Sequence, residues 1–468
     1  MPNPPGLTQS LIRRSLAKLD TLPSATVQNA KNVVLDTLGC MIGSVRTPEA
    51  AALFRYNIRT GSAGPASIVG RQGLVDLEVA TYANAVLAHI LEMDDTHRTA
   101  IMHPGAPVIA AALNAAEREN VSGETFLKAV VFGYEVSTRV AVAIQPDHWY
   151  KGYLSMATCG AIGAAAAAAY IAGLDESGIA QAVGLAAIQA GGLNASIFAK
   201  GDMGKLTTPA SGAVNGIRSA YLVAAGMTGP ETIVEGRFGV LDVWTGVNNW
   251  EAAIADLDTV HEIDRTGLKP FSCCRYIHGP LQLTAQLMQE HGLSLGDIRS
   301  IDVRTYEAAV LKRPHRAEPL TAFDAKMSIP YCLAVQLKNS SFSDAAMTDG
   351  LANLPELGAI ARKVNVLADE EMTKLFPGRW PSSVTITTTS GKQFAARLDY
   401  PKGEPENPLS RDEILQKFML LAEPEMGHAH AEEVVALIDH LDGAPFSQGL
   451  FSLLRGCGQP AAKLSLTA

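Results

Sequence analysis

The chain of 468 residues is poor in charge and in aromatics: Asp, Glu, Lys and Arg make up 18% and Phe, Trp and Tyr 6%. With 47% apolar residues, that balance excludes a disordered polymer and implies a large buried core. The net charge of -9 argues against a nucleic-acid partner. It still allows a local cationic pocket for an anionic substrate. The six cysteines form no C-x-x-C pair, and Cys273 and Cys274 are adjacent. No zinc spacing or disulfide framework results, which fits a reducing cytosol. The start, M-P-N-P-P-G-L-T-Q-S, lacks a basic region followed by an apolar one, so no secretory signal is expected. The most apolar run, 157–174, is largely Ala and Gly and reads as a buried helix, so no membrane partner is expected. Nucleotide signatures are missing too. G-A-I-G-A-A-A-A-A-A from Gly160 has neither G-x-G-x-x-G nor the Walker lysine, and no strand precedes it. No serine elbow occurs.

The patterns that are present are mostly helical. Apolar residues recur at helical spacing over 7–20, 24–40, 75–93, 105–118, 123–145, 156–173, 175–192 and 210–227. Nothing repeats at a fixed period, which argues against a solenoid. Near Pro270 the character changes. Residues 298–306 and 383–389 alternate apolar and polar, and Ser390-Gly391 leads into 393–398 as a hairpin. Helical patterns at 279–291 and 325–338 accompany these strands. Helices return at 410–422 and 430–442. The expected fold is mainly α: a large all-helical domain from 1–267 and 405–468, with a smaller α+β domain, 268–404, inserted. The cleft between them is the expected site for a small molecule.

One stretch holds most of the chemistry. From Leu91 it reads L-E-M-D-D-T-H-R-T-A-I-M-H-P, with Glu92, Asp94, Asp95, Thr96, His97, Arg98 and His103 between two apolar helical segments. Burying such a run costs several kcal/mol unless its groups are paired. A helix end opening into a polar cleft resolves the conflict, and His with carboxylate and hydroxyl is the material of proton transfer. The plainer reading is a solvated loop. His103 precedes Pro104, which marks a bend before the next helix. That helix start is expected to favour a substrate carboxylate and to keep the imidazole neutral.

Other places are more ambiguous. Lys205 follows the Gly-rich turn G-D-M-G and reads either as a carboxylate ligand or as a solvated lysine. K-P-F-S-C-C-R-Y-I-H holds Lys269, Arg275 and His278 at the domain junction, and a structural hinge explains it equally well. Tyr306 ends a predicted strand, where an ordinary core tyrosine is the simpler account. His428 and His430 form H-x-H on an acid-rich helix start, a pattern more typical of a surface than of a metal site. The remaining candidates are acids, bases and cations. The chemistry expected is therefore cofactor-free proton transfer on an anion, with no metal or nucleotide.

These residues resemble a known family. L-E-M-D-D-T-H with H-P-G-A-P-V-I is similar to the D-F-D-D-T-H…H-P-G-A-P-V-I signature of the MmgE/PrpD family. The similarity continues through G-A-I-G-A-A-A-A-A-A, M-G-K ending at Lys205, C-C-R-Y-I-H-G-P and A-K-M-S-I-P-Y. That family's activities are dehydration of 2-methylcitrate, decarboxylation of cis-aconitate and epimerisation of iminodisuccinate. The resemblance implies an all-helical domain built from both chain ends, an α+β lid, a homodimer and a site in the cleft. Carried over, its catalytic set is Glu92 (usually Asp), His103, Lys205, His278 and Tyr306. Asp94, Asp95, Thr96, His97, Tyr153, Lys269 and Arg275 are the expected substrate contacts.

One departure bears on the reaction. The family's dehydratases and decarboxylases carry a histidine in G-[WFY]-H, where this chain has Gly152-Tyr153-Leu154. Losing that imidazole removes an acid from the cleft. An epimerase expels nothing, so the leading expectation is a cofactor-independent epimerase of an imino- or amino-dicarboxylate. His103 and His278 would carry protons, with Lys205 and Lys269 or Arg275 neutralising carboxylates. A lyase on a tricarboxylate is the alternative, and a non-catalytic polycarboxylate binder the third.

Overall fold

The computed structural model describes residues 6–60, 62–199, 201–311, 315–443 and 448–458. It is mainly helical, with a small sheet in the C-terminal half. Helices α1 (Leu7–Ala17), α2 (Ser24–Ser44), α3 (Leu77–Ile90), α4 (Gly105–Glu119), α5 (Gly123–Ile144), α6 (Cys159–Ile171), α7 (Glu176–Gln189) and α8 (Thr208–Ala224) build the first body. Their starts carry polar caps: the Asp76, Ser122 and Asp175 side chains accept backbone N–H bonds at α3, α5 and α7.

Helix α6 runs through the middle, packed by α4, α5, α7 and α8. Its Ala and Gly residues are what allow this. A Cβ on Gly163 would lie 2.6 Å from the Gly133 carbonyl of α5, so the two backbones touch where neither carries a side chain.

The second body begins after Leu268. Helices α9 (His278–Glu290) and α10 (Ile329–Asn339) accompany a four-stranded sheet. Two short strands come first in the chain and pair with each other: β1 (Thr96–His97) and β2 (Thr266–Gly267). The sheet proper has β3 (Ile298–Thr305), β4 (Val364–Ala368), β5 (Ser382–Thr388) and β6 (Gln393–Leu398), in the order β4-β3-β5-β6. Strand β3 runs parallel to β4 and antiparallel to β5, with Ile301 opposite Ile386 and Val303 opposite Val384. The hairpin expected from Ser390-Gly391 joins β5 to β6. Strand β4 was not expected, because V-N-V-L-A is short and lies at the sheet edge.

Helices α11 (Arg411–Met426) and α12 (His428–Asp439) return to pack on α2. One apolar core therefore runs from Leu7 to Leu268 and resumes from Ile414 to Cys457. A second core spans Cys273 to Ile386 and takes in Trp149, Ile197 and Leu206 from the first body. Among the described residues, the strands before residue 260 are short: Ala63–Ser67 with Leu74–Val75, and β1. No doubly wound sheet occurs there.

Candidate active site

Helix α3 ends at Ile90, and its last carbonyls have no helical partners. The chain then turns sharply. Glu92 has φ of 52° and Ile101 has φ of 47°, both in the left-handed region that side chains avoid. For a β-branched isoleucine this is real strain, of order 1–3 kcal/mol. The turn is held from outside. Lys326 Nζ donates to the Ile90 carbonyl at 3.3 Å, Ser272 Oγ to Leu91, Lys269 Nζ to Glu92 at 2.8 Å and Lys417 Nζ to Met93 at 2.7 Å.

Three lysines also meet buried acids of the turn and of α2. Lys417 pairs with Asp36 at 2.6 Å, Lys269 with the Glu92 carboxylate at 3.2 Å, and Lys205 with the other Glu92 oxygen. All these groups are buried. Isolated, each would be expensive; with Asp36 on Lys417 and Glu92 between Lys205 and Lys269, they are tolerable. Asp95 is the exception. Burial and the Asp94 charge push its carboxyl up to about 7. It accepts from Tyr134 Oη at 2.7 Å and from Gly105 N–H at 3.0 Å. Asp95 therefore caps α4 itself, so the helix start expected to receive a substrate carboxylate is already occupied. Gly105 is required there, since a Cβ would lie 2.7 Å from Asp95 Oδ1 and 2.8 Å from the Tyr134 hydroxyl.

A narrow cavity lies beside this cluster, with room for only a few waters at about 40 Å³. Its polar wall is Thr96, His103, Ser155, Lys205 and Arg275, and its apolar wall includes Ile101, Met102, Trp149, Leu154, Met156 and Trp380. His103 is oriented by its backbone partner. The Asp95 carbonyl 2.7 Å from Nδ1 can only accept, so Nδ1 carries the hydrogen and Nε2 keeps its lone pair. The side chain is 15% open and lines the cavity. Burial and the Lys269 ammonium push the His103 pKa down to about 3, so the imidazole is neutral near pH 7. The neutral base expected from a helix dipole is thus produced mainly by burial.

The structure brings Thr96, His103 and Lys205 together at the cavity and places Glu92 on Lys205 just behind. Asp94 lies behind His103, 3.8 Å from its Nδ1. The other candidates go elsewhere. His97 donates from Nε2 to Glu262 at 2.8 Å and accepts from the Ala100 N–H, inside the helical body. Lys269 is fully buried on Glu92 and does not reach the cavity wall. Arg275 does, but its five N–H groups go to Glu404, His278 and the carbonyls of Pro401 and Lys402. None is left for a substrate carboxylate. His278 accepts from Arg275 at Nδ1 and faces the Cys273 carbonyl at Nε2. Tyr306 stacks on Phe376 and meets Tyr276 edge-on, one layer behind Trp380. Tyr153 stacks on His148. His428 and His430 are exposed, with His428 between Glu423 and Glu432.

Several members were not singled out in the sequence. His89 is the clearest: its Nδ1 lies 2.8 Å from Asp94 Oδ2 and its Nε2 2.9 Å from Lys205 Nζ. The signal was its spacing, three residues before Glu92 at the end of a helix. Lys326 and Lys417 gave no local signal, because they come from distant helices. His89, Asp94 and His103 bring donor atoms within 4.8 Å of one another, the one such grouping among the described residues. Both rings already direct Nδ1 to oxygen, and the Lys205 and Lys269 ammonium groups stand beside them. That donor set fits a hydrogen-bonded cluster better than a cation site.

Residues 15–253 match the MmgE/PrpD N-terminal domain and residues 271–442 the MmgE/PrpD C-terminal domain. The chain is 26% identical over 452 residues to a cis-aconitate decarboxylase of Aspergillus terreus (strain NIH 2624 / FGSC A1156), covering 90% of each chain. It is 24% identical over 471 residues to the cis-aconitate decarboxylase of Homo sapiens, covering 95% of this chain and 93% of that one. The corresponding Mus musculus protein is 23% identical over 463 residues, 96% of this chain and 93% of its own. With both halves matched in order across most of the sequence, the chain belongs to the MmgE/PrpD family.

Proposed function

We propose that this protein is a cofactor-independent lyase on a small di- or tricarboxylate, which loses CO2 from its substrate and returns a proton through His103. The observation carrying this reading is His103, the one histidine among the described residues lining the cavity, where Lys205 also lies, with its Nδ1 held by the Asp95 carbonyl. Lys205, Thr96 and Ser155 bind carboxylate oxygens. As the C–C bond to the departing carboxylate breaks, its electrons stay on the substrate carbon and CO2 leaves. The proton on Nε2 then completes the C–H bond. Burial keeps His103 neutral, but an anion bound beside the ring favours the imidazolium, so the substrate brings its own proton donor into being. The decarboxylase names of the relatives support this reading. The cavity is too small for a tricarboxylate as it stands, which supports residues 268–404 acting as a lid that opens. A cytosolic homodimer is the form in which we expect it to work.

A specific residue favours a second reading. Leu154 lines the cavity at the place where the family's lyases carry a histidine. An epimerase needs no leaving-group acid there, and His103 with Lys205 would supply its two proton carriers.

Incubation with cis-aconitate and, separately, with an iminodicarboxylate in D2O, followed by proton NMR, tests both. Loss of CO2 with one deuterium entering the product is expected. Exchange of the α-proton with loss of optical rotation and no CO2 would replace the lyase by the epimerase. Binding without exchange or CO2 would sink both and leave a carboxylate-binding protein.

A further inference from the structure

We propose that His89 is a positioning residue of this site, a neutral acceptor that holds the Lys205 ammonium at the cavity by passing the charge of Asp94 to it. His89 sits in the last turn of α3, fully buried and away from the cavity wall. The proposed reaction gives it no role. Yet both its nitrogens are committed with good geometry, Nδ1 at 2.8 Å from Asp94 Oδ2 and Nε2 at 2.9 Å from Lys205 Nζ.

The direction of each bond follows from chemistry. Burial pushes the Asp94 carboxyl up, but the His89 and His103 rings and the Lys269 ammonium outweigh it and hold it below the usual carboxylate range. A carboxylate only accepts, so Nδ1 carries the hydrogen. The Nε2 lone pair is then turned to Lys205, and an ammonium only donates. Burial, with Lys205 and Lys269 nearby, lowers the His89 pKa to about 4, so the ring stays an acceptor.

The other charges facing this group are few. Glu92 pairs with Lys205 and lies 3.2 Å from Nε2, while Lys269 pairs with Glu92 and stands 4.0 Å from Asp94. Asp94 Oδ2 is also 3.8 Å from His103 Nδ1, and the two imidazoles are 5.0 Å apart. The two groups that face the ligand, His103 and Lys205, are thus joined behind the wall through Asp94 and His89. A ring that only filled space would not need this tautomer. A ring that positions Lys205 does.

The inference rests on Lys205 as the cavity's cation and not on the substrate, so failure of the decarboxylation assay leaves it standing. The test is trace acetylation of the full-length protein with acetic anhydride from about pH 6 to about pH 10, reading the Lys205 peptide by mass spectrometry. His89→Phe keeps the ring shape and net charge but removes the acceptor. Lys205 should lose its proton about one unit lower, labelling about tenfold faster at a given pH below its midpoint. His89→Gln, whose amide can donate to Asp94 and accept from Lys205, should restore most of the parent profile. Superimposable profiles for the parent and His89→Phe would overturn the proposal, as would an equal shift in both variants. Should His89→Phe not fold, nitrogen NMR of ring-labelled parent decides: the hydrogen is expected on Nδ1 of His89, and finding it on Nε2 refutes the arrangement.

Discussion

Replacing Lys417 by Met tests the ionic scaffold without reference to any substrate. Lys417 pairs with Asp36 at 2.6 Å and donates to the Met93 carbonyl at 2.7 Å, almost fully out of water. Methionine fills the same space and removes the charge. Asp36, fully buried, then has no counterion in contact, and burial already pushes its carboxyl up. It will take a proton. Carrying that proton at pH 7, against an unfolded value of about 3.9, costs about 4 kcal/mol, at about 1.4 kcal/mol per pH unit. The orphaned carbonyl adds about 1–3 kcal/mol. The sign is definite. In the variant the folded state holds a proton that the unfolded state releases, so its deficit shrinks as pH falls. Urea unfolding at pH 7.5 should show a loss of about 6–8 kcal/mol, or failure to fold, and at pH 5.5 a loss about 3 kcal/mol smaller. Adding Asp36→Asn should recover at least half of the loss at the higher pH. A deficit below about 1 kcal/mol, or one independent of pH, would refute this account of the buried cluster.

His103→Asn should lower turnover by about 10²–10⁴, the usual worth of an acid–base group, with fold unchanged by circular dichroism. Retention of more than about half the activity would show that another group carries the proton. His97→Asn, by contrast, should cost stability more than turnover, since its partner is Glu262 within the helical body. Acid should destabilise the protein. His89, His103 and His148 are held neutral with pKa values near 4, 3 and 4, and burial beside Arg275 holds His278 well below the ordinary histidine value, so on unfolding each of the four gains a proton below about pH 6.5; Asp95, raised to about 7, opposes them by one. A net uptake of about three protons means roughly 4 kcal/mol lost per pH unit between about pH 6 and pH 4.5, and a urea midpoint that rises on acidification would contradict it. Gly105→Ala should lower the melting temperature by several degrees and reduce activity, because its methyl displaces Asp95, whose carbonyl orients His103; an unchanged melting curve would mean the helix start has slack.

Much of this was legible in the sequence for physical reasons. Helical spacing and caps marked the helices, and alternation marked β3, β5 and β6, because these signals are local. The charged stretch after α3 announced itself by its conflict with its apolar flanks. What stayed hidden depends on contacts across hundreds of residues. Nothing local distinguishes Lys326 or Lys417 from a solvated lysine, and nothing shows that all five donors of Arg275 are taken. Lys269, Arg275 and His278 fall near the site, but their side chains brace its walls. His89 read as part of an apolar helix because its partners, Asp94 and Lys205, are identified only by the turn and by the return of the chain.

The four carbonyls from Ile90 to Met93 have a bearing on how the protein is made. Their donors are Lys326, Ser272, Lys269 and Lys417, so the turn around Glu92 is complete only when the chain has been synthesised past residue 417. A nascent chain ending after the helices of its first half would hold the acids of the stretch with Lys205 but without Lys269, Lys326 and Lys417. Such an intermediate has every reason to keep this turn open, with the strained backbone at Glu92 and Ile101 relaxed. On that account the turn closes late in folding, and a stalled or truncated product is expected to carry this cleft unformed.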